Sequence, residues 1–277
     1  MGMKITKIIS NNTVVTVANG REIILTGAGI GFGKKAGDPV DVKRIEKVYQ
    51  IRDRWFKRYE QIYKHIKPEY FQVAENIRIM AEKELLCALS PQFVFSLADH
   101  IAYAIERQEK KEPMPNLMLH EIRLLYEKEY RIGKWGKELL EKEIGRMMPI
   151  DEAGYFALHI VNAKTEEASG DVTRILVLTN GILKIVHENM NVTCQESDFE
   201  YSRFLMHLKF LAKRIFEKKS SELNVVVNMY PELLEREPGL KIVIPKIRRF
   251  IEEMFGYHIS DEEATYLSVY IIRITKK

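Results

Sequence analysis

The seven histidines of this 277-residue chain are its side chains best suited to chemistry near neutral pH. Neutral imidazole is a nucleophile there, able to take up a phosphoryl group and give it back, and a carboxylate beside it can orient the ring. His100 follows the carboxylate of Asp99 and lies beside an apolar stripe at Phe93, Leu97, Ile101 and Ile105. His207 lies beside a second stripe at Phe204, Leu208, Leu211 and Ile215. His159 follows Glu152 and Tyr155 by seven and four residues, which sets all three on one face of a helix. On the residues alone, the same three also read as half-buried structural histidines.

Other familiar chemistry fails on spacing. The run Gly27-Ala28-Gly29-Ile30-Gly31-Phe32-Gly33-Lys34-Lys35 invites a phosphate-binding loop, but Ala28 stands where the first glycine of a P-loop belongs and Lys35 where its hydroxyl belongs. No helix follows to make a dinucleotide site. The glycines suggest a strand or loop that something approaches closely at the backbone, with Phe32 its one large side chain. His120-Glu121 continues as Ile122-Arg123-Leu124, without the second histidine of a zinc protease. Cys87 and Cys194 show no ligand or disulfide spacing and read as buried thiols. No constellation marks an enzyme, and neither a metal nor a cofactor is expected.

The elements that must hold these residues fall into three segments. Thr13–Val17 and Arg21–Thr26 are rich in β-branched residues and flank Asn19-Gly20, a pair suited to a tight hairpin turn. Gly37-Asp38-Pro39 makes a second turn before Val48-Tyr49-Gln50-Ile51, so a sheet of about four strands is expected, too small to bury enough surface alone and therefore expected to dimerise. From about Trp55 the period becomes helical. A shift of 111 residues carries Glu141, Gly145, Glu152, Ala153, Tyr155 and Ile160 onto Glu252, Gly256, Glu263, Ala264, Tyr266 and Ile271, the mark of a duplicated domain. The same shift sets His159 against Tyr270. Ser260-Asp261-Glu262-Glu263 fits a capping box at a helix start. The organisation read from this is a small antiparallel all-β domain at 1–55, a linker at 56–66 and two all-α helix bundles at 67–169 and 170–277.

Charge separates the segments. Residues 1–55 hold ten Lys/Arg against five Asp/Glu, whereas the other 222 hold 33 against 34. The positive excess sits on the β segment, as it would beside nucleic-acid phosphates, although a solvated basic surface reads equally well from charge alone. No apolar run approaches the roughly 18 to 20 residues that span a bilayer, and the N-terminus lacks a signal-peptide core, so a cytoplasmic location is expected.

With sheet and duplicated bundle in hand, the chain resembles the BglG/SacY-type transcription antiterminators over nearly its full length. The matching residues are Lys4–Asn12, Gly27–Lys35 and Arg44–Tyr49 in the sheet, then Ala98–Ile101, Asp151–Ala163 and Arg203–Phe210 in the bundles. The resemblance implies a homodimeric RNA-binding domain that grips an mRNA leader hairpin and so prevents a terminator from forming. It implies two regulation domains phosphorylated on histidine by the sugar phosphotransferase system, with the carrier HPr and a sugar permease as partners. Lys7, Asn11, Asn12, Gly27 and Phe32 are then the RNA contacts, and His100, His159 and His207 the phosphorylation sites. The other histidines, 65, 120, 187 and 258, match no such site and read as surface or structural. The family pattern has phosphorylation of the first copy inhibit and of the second activate, but here Tyr270 fills the fourth histidine position, so His207 alone is expected to carry phosphate in the second copy. Ser10 and Ala28 also depart from it, where related proteins often have Asn and Arg. The run Gly29–Lys35 looks most like the glucose-responsive branch. Two other readings stay open at this point: a DNA-binding activator under the same control, for which residues 1–51 offer no helix-turn-helix, and a phosphorelay module whose sheet binds protein.

Overall fold

The computed structural model describes residues 3–18, 20–50, 66–90, 92–112, 114–164, 171–192, 199–217 and 229–275. Asn19, Ile51, Cys194, His65, most of the expected linker and the expected boundary near residue 169 lie outside them. Four strands form an antiparallel meander in chain order: β1 (Ile5–Ser10), β2 (Thr13–Ala18), β3 (Arg21–Thr26) and β4 (Lys47–Gln50). The expected hairpin is present, with Ala18 opposite Arg21 and Gly20 at φ +75°. Val14 faces Leu25, and Val15 faces Ile24. Because side chains alternate between faces, these two pairs serve different cores. Val14, Leu25, Ile5, Ile23, Ile30 and Val40 form one. Ile9, Val15 and Ile24 join another that includes α1 (Pro68–Leu85). Apolar surface that the sequence assigns to a second copy is thus partly covered within this chain.

The helices divide between two compact units. The first holds the sheet, α1, α2 (Phe93–Lys110), α4 (Glu127–Ile144) and α5 (Asp151–Ala163). Here α2 packs on α1 and on α5. The predicted stripe Phe93, Leu97, Ile101 and Ile105 is buried throughout. Cys87 is half-buried against this core, less enclosed than its sequence reading.

The second unit holds α6 (Asp171–Asn189), α7 (Phe199–Glu217), α8 (Tyr230–Arg236), α9 (Leu240–Phe255) and α10 (Asp261–Thr275). It also takes in Leu117–Glu127, and with them α3 (Leu119–Leu125), although these residues lie between α2 and α4 in the chain. α3 packs on α7, where Lys209 Nζ lies 4.1 Å over the Tyr126 ring. The stripe Phe204, Leu208, Leu211 and Ile215 is buried.

The shift of 111 carries the bounds of α3 onto those of α8. His100 and His207 differ by 107, because 218–229 before α8 is four residues longer than 111–118 before α3. The capping box at α10 forms as expected: Glu263 N–H donates to Ser260 Oγ at 3.3 Å, and Ser260 N–H to Glu263 Oε2 at 3.2 Å.

Candidate functional site

In the sheet domain, the turn between β1 and β2 lies against the glycine loop. Asn12 C=O accepts from Gly27 N–H at 3.0 Å, and Asn11 C=O from Gly31 N–H at 2.9 Å. The Asn12 side-chain Oδ1 accepts from Gly29 N–H at 2.7 Å. Asn12 is therefore a brace for the loop, with its NH₂ end as the part suited to a ligand. Gly27 has an internal reason to be glycine, since a Cβ there would stand 1.6 Å from the Arg44 carbonyl oxygen. The close approach expected at this position is made by the protein's own backbone. At Gly31 a Cβ would meet the Ser10 carbonyl at 2.5 Å.

This bracing presents Phe32 at the loop with 69% of its surface exposed, outside the core. Asn11 is exposed beside it, while Lys7 stands four residues back in β1, opposite Val15. Arg44 was not singled out from the sequence, yet its Nη1 donates to Gly29 C=O at 2.8 Å and ties down the same loop.

In the first helical copy, α2 and α5 bring His100 and His159 together with ring centroids 5.0 Å apart. Tyr155 and Phe156 approach the His100 ring to 5.4 and 5.8 Å. The carboxylate that engages His100 is Glu152, whose Oε2 lies 2.7 Å from Nε2. Asp99 is exposed, because side chains adjacent in sequence do not share a helix face. Arg107 Nη2 donates to Glu152 Oε1 at 3.1 Å, so one buried carboxylate joins an imidazole and a guanidinium. Ser96 Oγ lies 3.1 Å from His159 Nδ1. Burial pushes His159 down to about 3, and the neighbouring His100 adds to the fall. His159 is a neutral base at pH 7.

In the second copy, His207 stacks on Tyr270 at 4.6 Å and 26° between planes, with Tyr266 at 5.9 Å and 29°. Tyr270 thus stands against His207 as His159 stands against His100. Burial pushes His207 down to about 4, and the charge of Arg214 adds to it. Glu263, the counterpart of Glu152, accepts from Tyr257 Oη at 3.0 Å and from Ser260 N–H at 3.2 Å. It serves as cap where Glu152 is free to meet a histidine, because Pro149 replaces Ser260 in the first copy. His120 and His187 flank the Tyr201 ring at 5.7 and 6.4 Å. Sequence reasoning passed over Arg107 and Arg214, although each follows its histidine by seven residues and aligning the copies on His100 and His207 would have paired them.

The family described as CAT RNA binding domain matches residues 3–56, and the PRD domain matches twice, over 75–163 and 180–274. The chain is 34% identical to transcription antiterminator LicT of Bacillus subtilis, covering 99% of this chain and 100% of that one. It is 32% identical to the beta-glucoside operon antiterminator of Dickeya chrysanthemi, covering 98% and 96%, and 26% identical to protein GlcT of Staphylococcus epidermidis, covering 96% and 95%. A solved structure of GlcT CAT-PRDI, 29% identical, superposes on 59% of this chain and 98% of that one with a TM-score of 0.48. No helix among the described residues is long and apolar enough to cross a membrane.

Proposed function

The chain belongs to the family of transcription antiterminators built from a CAT RNA binding domain followed by two PRD domains, and from that premise we propose how its sites work. As an RNA-binding antiterminator it stabilises a leader hairpin in nascent mRNA and thereby keeps an overlapping terminator from forming. The observation that carries this is the order of matches, one RNA-binding domain ahead of two regulatory domains, together with relatives named as antiterminators along essentially the whole chain. Those relatives include both a beta-glucoside operon antiterminator and GlcT proteins, the latter fitting the glucose-responsive branch to which Gly29–Lys35 points.

RNA contact falls to Lys7, Asn11, Asn12, Gly27 and Phe32 in a domain of residues 1–55. The deep, narrow major groove of A-form RNA shuts out side chains, so a small sheet must work from the shallow groove and from unpaired bases, where an exposed ring can stack. The exposure of Phe32 and of Asn11 supports this. Residues 67–169 and 170–277 are the regulatory domains, joined to the sheet by a linker at 56–66. His100, His159 and His207 accept phosphoryl groups from HPr or a sugar permease of the phosphotransferase system. The acceptor nitrogen's lone pair forms the new N–P bond as the donor's bond to phosphorus breaks, and the proton from the acceptor's other nitrogen passes to the donor atom that the phosphoryl group leaves. Each transfer adds about 1.5 to 2 negative charges where a neutral ring stood. That charge acts through a homodimer in the cytoplasm, inhibiting from the first copy and activating from the second. The protein is a regulator, without catalytic turnover of its own.

Two experiments test the reading. Gel-shift titration against leader hairpin RNA and duplex DNA at two salt concentrations should show tight, salt-weakened binding to the hairpin alone. Labelling with phospho-HPr should modify residues 171–277 in the wild type and leave that segment bare in His207→Ala. Label persisting there would overturn the assignment of His207 as the single acceptor of the second copy.

A further inference from the structure

Arg107 and Arg214 are one position seen twice. Each follows its histidine by seven residues, two turns along the same helix, and each turns toward its copy's buried glutamate. Nη2 lies 3.1 Å from Oε1 for Arg107 and Glu152, and 3.7 Å for Arg214 and Glu263. In both, Nε is buried and has no hydrogen-bond partner among the described residues. A guanidinium offers five donors in a fixed fork that matches two oxygens of one anion, and a buried donor left unmet costs free energy. The same shortfall in both copies describes a site shaped for more anionic oxygen than one carboxylate supplies.

We propose that Arg107 and Arg214 hold the phosphoryl groups of phosphorylated His100 and His207, with Glu152 and Glu263 as the anions they give up. The proposal rests on the assignment of those histidines as acceptors. In the first copy the carboxylate of Glu152 already spans from His100 Nε2, at 2.7 Å, to Arg107 Nη2, at 3.1 Å. A phosphoryl group on Nε2, formed once Glu152 has drawn back and the ring proton has passed to Nδ1, brings its oxygens to the place of that carboxylate. Two anions repel there, so Glu152 stays withdrawn and Arg107 exchanges one partner for a stronger one, never standing as a bare buried cation. In the second copy Glu263 keeps Ser260 N–H and Tyr257 Oη when Arg214 turns away. The charge of Arg214 is felt at the His207 ring, where it opposes a proton and would attract a phosphoryl group.

The test uses the full chain and phosphoramidate, a donor that needs no protein: its N–P bond breaks, ammonia leaves with the proton of the acceptor ring, and an N–P bond forms on imidazole. Mass spectrometry then follows phosphate on His100 and on His207 after the donor is removed, in wild type, Arg107→Gln, Arg107→Lys and Arg214→Gln. Arg107→Gln should shorten the lifetime on His100 about tenfold and leave His207 unchanged, and Arg214→Gln should do the reverse. Arg107→Lys should fall between, as a cation without the fork. Lifetimes equal to wild type in both Gln variants, or equal loss at both histidines in either one, overturn the proposal. Absence of label from His100 and His207 in the wild type overturns the site assignment beneath it.

Discussion

Phe32, with 69% of its surface open to solvent on a loop braced by Asn12 and Arg44, is the ring proposed above to meet a base. Stacking of this kind is worth about 1 to 3 kcal/mol per base, so Phe32→Ala should weaken hairpin binding by roughly tenfold or more while the slope of log affinity against log salt stays fixed. Lys7→Ala should instead flatten that slope, as loss of a phosphate contact does. The histidines make a prediction in pH. His159 and His207 titrate near 3 and 4 in the folded chain, below the ordinary 6.5, so the unfolded chain takes up protons first as the solution is acidified. Their contribution is intact above about pH 6.5 and is lost as pH falls toward 4, a decline that His159→Gln should make shallower in urea unfolding at stepped pH. A decline equally steep in that variant would show that the ring is not buried neutral. Phe32 and the three histidines were legible in sequence, but Glu152 as the partner of His100 was not, because 52 residues separate them and only the packing of α2 on α5 joins them.

At the scale of elements, one substitution between the copies redirects a whole carboxylate. Ser260 gives α10 a reciprocal cap, its N–H holding the Glu263 carboxylate at the helix start, whereas Pro149 offers α5 neither hydroxyl nor N–H and leaves Glu152 to His100 and Arg107. Ser260→Ala should cost about 1 kcal/mol of stability in denaturant unfolding, the usual worth of such a cap. The box was readable because its logic is local, four residues long. The hairpin at Ala18 and Arg21 and the two apolar stripes were readable for the same reason, each following from a period or a pair of turn residues. The brace of Asn12 on Gly29 was not, since it joins two loops across 17 residues through a single amide oxygen.

Across the molecule, the duplication could be read from a shift of 111, but the allotment of helices to compact bodies could not. An apolar face on α3 announces burial without naming what buries it. Ile122 is wholly enclosed in the second unit, and Ile122→Ala should cost about 2 to 5 kcal/mol, read as a lower melting temperature of the full chain. A hybrid regulator spliced at residue 170 would import α6 through α10 and leave Leu117–Glu127 behind with the donor. Such a chimera would arrive with a raw seam along α7, prone to clump, and grafting those eleven residues in as well should restore its solubility.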